Sequence, residues 1–139
     1  MTDKVIIDTG PLVAMLDADE SHHDWAIQQL KTIQLPFLTC EAVIAETCYL
    51  LRRHARAVAE VGSFVDRGQI VCRFAFQESC DRVFARMRKY RDTPMSFADA
   101  CLVCMVEDVP SSSVFTLDSD FQTYRQANRR VIPTIAPWD

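Results

Sequence analysis

The chain has 139 residues, of which 49% are hydrophobic and 24% are charged, and this is the composition of an ordinary globular domain. The length is typical of one domain, so we expect a single domain over residues 1–139. This composition excludes a disordered chain, and no uncharged run is longer than residues 32–40, which is too short to cross a membrane. The formal net charge of −4 argues against a protein that holds nucleic acid by bulk positive charge alone.

Residues 1–8 contain no basic segment followed by a long apolar one, so they do not resemble a secretory signal. We therefore expect a cytoplasmic protein in which the six cysteines stay reduced. Cys101 and Cys104 have the spacing of half a zinc motif, but no second pair accompanies them. We interpret both as buried packing residues.

Short β-branched runs alternate with helical patterns along the chain. The first half predicts strands at residues 4–7 and 36–38 and helices at 12–16, 22–33, 41–53 and 55–66. Pro11 is expected in the first turn of the first helix, where its missing N–H costs nothing. Ser21 with Asp24 matches a capping box, and Thr39 is a candidate cap for the helix that begins at Glu41.

The second half continues the same alternation. It predicts strands at residues 70–74, 114–117 and 131–132, helices at 77–90 and 96–106, and a short helical segment at 118–126. The helix at 96–106 is apolar nearly all round, which predicts a central, buried position. The whole pattern predicts an α/β fold of three layers, with a mostly parallel sheet of four to five strands flanked by helices on both faces.

Two aspartates follow predicted strands directly. Asp8 comes after residues 5–7, and Asp118 comes after residues 115–117. In open α/β sheets, sites form outside the carboxyl ends of the strands, where the strand order reverses. An aspartate at this place is also a common helix cap, and for either residue alone this simpler interpretation stays open.

Two further acidic residues lie on helical segments. Glu46 falls at the edge of an apolar helical face, where it is either a surface residue or a group drawn half inward. Asp99 is the only charge in residues 97–106, and a buried carboxylate needs a partner or a metal ion. The alternative is a capping box with Ser96. If these four carboxylates converge, they form an oxygen-only site suited to Mg²⁺ or Mn²⁺.

Four segments of the sequence together resemble a known family. Residues 8–16 (DTGPLVAML), 45–51 (AETCYLL), 94–100 (PMSFADA) and 116–121 (TLDSDF) resemble, in order, the four motifs of PIN domains, in particular VapC-type toxins. Each motif is weak alone, but the four in order at this chain length form a strong signal. They span residues 5–121, which is nearly the whole chain.

The resemblance implies a PIN-like fold and an endoribonuclease that depends on Mg²⁺ or Mn²⁺. The catalytic residues that it implies are Asp8, Glu46, Asp99 and Asp118, and the metal ligands among them are Asp8, Asp99 and Asp118. Thr116, Ser96 and Asp120 would support the site, and Asp120 could replace Asp118. Many relatives carry Asp where this chain has Ser96, so we expect one tightly held ion.

The resemblance also implies partners. The substrate would be RNA, a small antitoxin protein would cover the acidic groove, and the chain would form a homodimer without contact to a membrane. Basic residues that could contact phosphates are Arg82, Arg86 and Lys89 on one helical face, and Arg52 and Arg56 on another segment. Each group can equally be a solvated charged face, and few aromatic residues stand out for base stacking.

Other classes of protein fit less well. A phosphatase of the dehalogenase type also has an aspartate after its first strand, but it needs a second aspartate where this chain has Gly10. A receiver domain would need a paired acidic turn and a late lysine after a strand. The alternative from another class is a non-catalytic PIN module that binds RNA or a protein.

Overall fold

The computed structural model describes residues 3–139, which fold into a parallel sheet surrounded by helices. The sheet strands are β1 Lys4–Ile7, β2 Phe37–Thr39, β3 Ile70–Cys72, β4 Ser112–Phe115 and β5 Thr134–Ile135. The helices are α1 Thr9–Leu16, α2 His23–Thr32, α3 Glu41–Leu50, α4 Ala55–Asp66, α5 Phe76–Lys89 and α6 Phe97–Asp108, followed by a 3₁₀ turn at Ser119–Gln122.

The strand order in the sheet is β3-β2-β1-β4-β5, and every neighbouring pair is parallel. Val5 in the central strand β1 is paired with Phe37 of β2 on one side and Ser113 of β4 on the other. The chain therefore builds the sheet outward from β1 in one direction and then returns to its other side with β4. Such a reversal opens a crevice at the carboxyl ends of β1 and β4.

Both faces of the sheet are covered. Ile6 and Ile7 are successive residues of β1, so their side chains point to opposite faces, and both are fully buried. Residues 98–106 of α6 are all buried, as expected from a helix that is apolar nearly all round. The predicted α/β fold with a parallel sheet and helices on both faces is confirmed.

A continuous apolar core joins the sheet to the helices. Its aromatic centre is Phe115 in β4, which contacts Trp25 at a ring distance of 5.5 Å and Phe37 at 6.0 Å. Burial of one such large apolar side chain stabilises the fold by about 1.5–3 kcal/mol. Within residues 3–139, no helix is both long enough and apolar enough to span a membrane.

The start of one helix and the caps of two others differ from the prediction. Helix α1 begins at Thr9 rather than at residue 12, because Asp8 caps it, although Pro11 does lie in its first turn. The predicted capping box of Ser21 is wrong, since α2 starts after His22 without a side-chain cap. Thr39 was expected to cap α3, but it ends β2 and its hydroxyl donates to the Ile7 carbonyl at 2.8 Å.

Element boundaries in the last third also differ. Strand β4 begins and ends two residues earlier than predicted, and residues 118–126 form only a 3₁₀ turn rather than a longer helical segment. The last strand was predicted at residues 131–132 but lies at Thr134–Ile135. Val131 instead makes an isolated antiparallel bridge with Arg125.

Candidate active site

The four acidic residues singled out in the sequence line one cleft. Its volume is about 410 Å³, and Asp8, Glu46, Asp99 and Asp118 all contribute to its wall. They come from the end of β1, from α3, from the first turn of α6 and from the segment after β4. The cleft therefore lies at the crevice that the strand order creates.

Asp8 holds two structural roles at once. Its Oδ1 accepts the Thr9 backbone N–H at 2.7 Å, which caps α1, and its Oδ2 accepts the Thr116 hydroxyl at 2.7 Å. The carboxylate is thereby fixed between two elements. The cap interpretation and the site interpretation of Asp8 are therefore compatible.

Asp118 is held by the same threonine. The Asp118 backbone N–H donates to Thr116 Oγ1 at 3.0 Å, and Asp118 Oδ1 in turn accepts the Asp120 N–H at 2.9 Å. Thr116 is fully buried, so its hydroxyl links two acidic residues from behind the cleft. Asp118 lines the cleft, whereas Asp120 does not.

Asp99 also combines a cap with a place in the cleft. Its N–H donates to Ser96 Oγ at 3.0 Å, and its Oδ2 accepts the Ser96 N–H at 3.4 Å, which is the expected capping box. The Tyr124 hydroxyl donates to the same Oδ2 at 3.0 Å. Ser96 itself lines the cleft beside Asp99.

Glu46 differs from the three aspartates. It is exposed on α3 and reaches the cleft from its rim together with Leu50. The prediction from periodicity placed it at the edge of the apolar face, and the structure agrees.

Burial and like charge both act on the inner carboxylates. Burial raises the pKa of Asp8 from 3.8 to about 7, with further upward contributions from the negative charges of Asp99 and Asp118. Burial likewise raises the pKa of Asp99 to about 6, and the Asp118 charge adds to the rise, while the Tyr124 hydroxyl opposes it. The cleft wall contains neither Lys nor Arg among residues 3–139 to offset this charge.

The donor set of the cleft fits a hard divalent cation. Carboxylate oxygens are the ligands that Mg²⁺ and Mn²⁺ prefer, and the uncompensated negative charge is what such an ion would neutralise. Across residues 3–139, however, no three acidic, His or Cys side chains already stand close enough to hold an ion together. Mg²⁺ keeps several waters in protein sites, so fewer direct carboxylate contacts suffice.

Comparison with known proteins gives the family. The family model of the PIN domain matches residues 5–126 of this chain, which is most of its length. The chain belongs to the PIN domain family. A crystal structure described as Mycobacterium tuberculosis VapC20, a Sarcin-Ricin loop cleaving toxin, has the same fold, with a TM-score of 0.78 and 17% identity over 86% of this chain and 94% of that chain. No curated protein matches the sequence.

One residue at the site of this PIN domain escaped the sequence analysis. Tyr124 is fully buried and holds Asp99, yet it lies outside the four acidic motifs. The signal available in the sequence was the spacing of two aromatic residues, Phe121 and Tyr124, which are three positions apart. In the structure their rings lie 5.1 Å apart. A tyrosine buried to its hydroxyl needs a polar partner, and here that partner is Asp99 of the third acidic motif.

Four of the five basic residues predicted to contact RNA have partners within the PIN domain itself. Arg82 and Arg86 both pair with Glu107 of α6 at 3.1 Å. The Arg52 guanidinium lies 4.1 Å from the Tyr49 ring centroid, and Lys89 lies 5.4 Å from that of Tyr90. Arg56 is exposed at the start of α4. None of these five side chains lines the acidic cleft, and their role in RNA binding stays a prediction.

Proposed function

We propose that this PIN domain is an endoribonuclease that depends on Mg²⁺ or Mn²⁺ and hydrolyses RNA phosphodiester bonds. The observation that carries the proposal is the cleft itself, where carboxylates from four separate elements meet without a compensating cation. Membership of the PIN family and the fold shared with a toxin that is described as cleaving RNA support it.

The residues would divide the work as follows. Asp8, Asp99 and Asp118 would hold one cation, and Glu46 would reach the reacting centre from the rim. A bound Mg²⁺ or Mn²⁺ supplies a more acidic water and stabilises negative charge on phosphate oxygens. Thr116 would keep the Asp8 and Asp118 groups in register, as supporting residues of metal sites do.

The biological role would be that of the toxin in a toxin–antitoxin pair. VapC20 is described as a toxin, and the fold that this chain shares with it supports the same role. A small antitoxin protein, a homodimeric assembly and a cytoplasmic location belong to this proposal. Occlusion of the acidic cleft would then be the simplest means of inhibition.

The test is cleavage of a labelled, weakly structured RNA in Mg²⁺, in Mn²⁺ and in EDTA. We expect metal-dependent cleavage by the natural chain and a loss greater than about 100-fold in Asp8→Asn and Asp99→Asn, because even supporting residues cost 10–100-fold. Asp81→Asn, an exposed change on α5, is the matched control and should cleave normally.

Full activity of Asp99→Asn would contradict the assignment. Binding of Mn²⁺ in a calorimetric titration without any cleavage would indicate the alternative, a PIN module that binds RNA or a protein but does not cut. Equal loss in Asp81→Asn would point to a general folding defect, and unchanged cleavage by Asp8→Asn would point to a contaminating nuclease.

A further inference from the structure

A second cavity lies next to the acidic cleft and has no part in the proposed metal chemistry. Its volume is about 450 Å³, within the range of about 300–1,000 Å³ that is common for small-molecule sites. Its wall comes from the segment after β2, the start of α3, the segment before and within the start of α5, and the start of α6. The lining residues are Cys40, Glu41, Ala42, Phe74, Ala75, Phe76, Gln77, Glu78, Phe97 and Cys101.

The two cavities share two walls. On α3, Ala42 lines the second cavity and Glu46 lines the acidic cleft, and these residues are four apart, a rise of about 6 Å along a helix. At the start of α6, Ser96 lines the cleft and the next residue, Phe97, lines the second cavity. Because α3 and the start of α6 line both cavities, the two cavities are neighbours that one RNA strand could reach together.

Aromatic rings form one side of the second cavity. Phe97 is 36% exposed, and its ring lies 5.1 Å from that of Phe76 in an edge-to-face contact. The Phe84 ring packs against both, at 6.4 Å from Phe76 and 6.2 Å from Phe97, and it does not line the cavity. The three rings brace each other, so the surface of Phe97 is held in place as a stacking partner.

Hydrogen-bond acceptors also contribute to the cavity wall. Glu41 and Glu78, in the first turns of α3 and α5, are exposed carboxylates in the cavity wall. A carboxylate accepts from an N–H group and repels a carbonyl oxygen. The buried thiols of Cys40 and Cys101, together with Ala42 and Ala75, add an apolar part to the wall.

We propose that this cavity holds a nucleobase of the RNA strand beside the cleaved bond and prefers a base with an exocyclic amino group over uracil. The inference rests on the proposed function, since the acidic cleft sets where the strand lies. The base would stack on Phe97 and present its amino group to Glu41 or Glu78. The phosphates of the strand would stay outside, away from these carboxylates.

This chemistry favours a base over an apolar segment of a protein partner. An apolar segment would gain from the rings but would leave two carboxylates facing it without donors. A flat ring with N–H groups on its edge satisfies both parts of the wall. Stacking on one aromatic side chain contributes about 1–3 kcal/mol per base, which corresponds to roughly 10- to 100-fold in affinity.

The experiment compares labelled oligocytidylate with oligouridylate, because these pyrimidines differ in an amino group against a carbonyl. Binding is measured by fluorescence anisotropy in Mg²⁺ with the Asp8→Asn chain, which should bind without cutting. We expect oligocytidylate to bind about tenfold more tightly, the size of one hydrogen bond to a charged group. Glu41→Gln with Glu78→Gln should reduce this preference, and Phe97→Ala should weaken binding of both oligomers by about 10- to 100-fold.

Two further variants test the inference if Phe97→Ala folds poorly, which circular dichroism would reveal. Phe97→Tyr should retain the affinity, because it keeps the ring. Phe84→Ala removes a ring that packs on Phe97 but does not line the cavity, so it should weaken binding of both oligomers less than Phe97→Ala does.

Equal affinity for the two oligomers, unchanged by the Phe97 and glutamate variants, would overturn the inference. If the Phe97→Ala change instead splits a dimer in sedimentation and leaves RNA binding unaltered, the cavity belongs to a contact between two copies, and the inference is also wrong. Cleavage of mixed RNA without base preference removes this inference alone. Absence of both cleavage and RNA binding removes the proposed function as well.

Discussion

The Thr116 hydroxyl donates to Asp8 Oδ2 at 2.7 Å and joins residues that are 108 positions apart in the chain. Thr116 Oγ1 also accepts the Asp118 backbone N–H, so one small side chain sets the relative position of two carboxylates. The contact links the carboxyl ends of the two central strands. In the proposed metal site this contact would matter, because metal sites depend on ligand positions to within a fraction of an ångström.

Replacement of this threonine tests its supporting role. We expect Thr116→Val, which keeps the shape but loses the hydroxyl, to lower RNA cleavage and Mn²⁺ affinity by about 10- to 100-fold. Thr116→Ser should retain most of the activity. Thr39→Val is the matched control, because Thr39 is equally buried and donates to the Ile7 carbonyl. Loss of the Thr39 hydroxyl should reduce stability and leave RNA cleavage unchanged. If Thr116→Val and Thr39→Val cleave RNA equally well, the role of Thr116 is only structural.

The buried carboxylates predict an unusual dependence of stability on pH. Because the pKa values of Asp8 and Asp99 in the folded chain are raised to about 7 and about 6, the folded state binds more protons than the unfolded state above pH about 4. Their contribution to the free energy of unfolding therefore falls as pH rises from about 4 to about 7, in the chain without metal.

Thermal unfolding in EDTA at several pH values checks this prediction. The informative quantity is the difference in stability between the natural chain and Asp8→Asn, since titrating groups that do not interact with Asp8 cancel in it. We expect the amide variant to gain stability relative to the natural chain as pH rises. Mn²⁺ should raise the Tm of the natural chain more at pH about 8 than at pH about 5, because it binds ionised carboxylates. A difference that stays flat with pH would contradict the raised pKa of Asp8.

A glycine at the cleft gives a third prediction. A Cβ at Gly10 would meet the Leu117 Cβ at 3.2 Å, closer than most real contacts, so Leu117 and the adjacent Asp118 would have to shift. We expect Gly10→Ala to lower RNA cleavage about tenfold or more, because small displacements of ligating groups are costly. Gly62→Ala meets no atom within 4 Å and lies inside α4.

The Gly62 variant is therefore the matched control for the same chemical change. It should stabilise the chain by about 0.5–1 kcal/mol, the usual helix preference of alanine over glycine, and leave cleavage as it is. Urea denaturation and the RNA assay measure the two effects side by side. Normal cleavage by Gly10→Ala would show that Leu117 moves without disturbing Asp118.

Tyr124 offers a fourth prediction. Its hydroxyl donates to Asp99 Oδ2 and lowers the pKa of that carboxyl against the effect of burial. We expect Tyr124→Phe to raise the pKa of Asp99 further and to weaken Mn²⁺ binding by about 10- to 100-fold in a calorimetric titration near neutral pH. The expected loss of stability is about 1 kcal/mol.

Tyr90→Phe is the matched control. The Tyr90 hydroxyl accepts the Arg125 N–H at 2.8 Å, and its ring packs on Tyr124 at 5.1 Å, but it contacts no carboxylate. This variant should lose a similar amount of stability and keep its affinity for Mn²⁺. Equal effects of the two changes on Mn²⁺ binding would remove the special role of Tyr124.

The parts of the fold that the sequence predicted are those governed by local pattern. Asp8 and Asp118 follow apolar runs of strand length, and parallel strands bring their carboxyl ends to one edge, so their meeting in one cleft could be expected. Asp99 could be found because it was the one charge in an apolar helix. Its capping box was also visible, and the structure contains both roles together.

The parts that were missed depend on distant contacts. Both residues 131–132 and Thr134–Ile135 have strand propensity, and pairing with β4 decides between them, since the Val114 and Thr116 N–H groups donate to the carbonyls of Pro133 and Ile135. The partners of Arg82 on α6 are equally invisible to helical periodicity. The cavity beside Phe97 is lined by residues from three separate segments of the chain, so no single stretch of sequence indicated it.

The order of the strands has a consequence for the timing of synthesis. A ribosome that has completed α6 has already added Asp8, Glu46 and Asp99, but β4 and Asp118 are still to come. The central strand β1 is synthesised first, whereas its neighbour β4 is synthesised near the end of the chain. For the proposed ribonuclease, a growing chain would therefore be harmless to the RNA around it until most of the protein has emerged, which leaves time for an inhibitor to be present when activity begins.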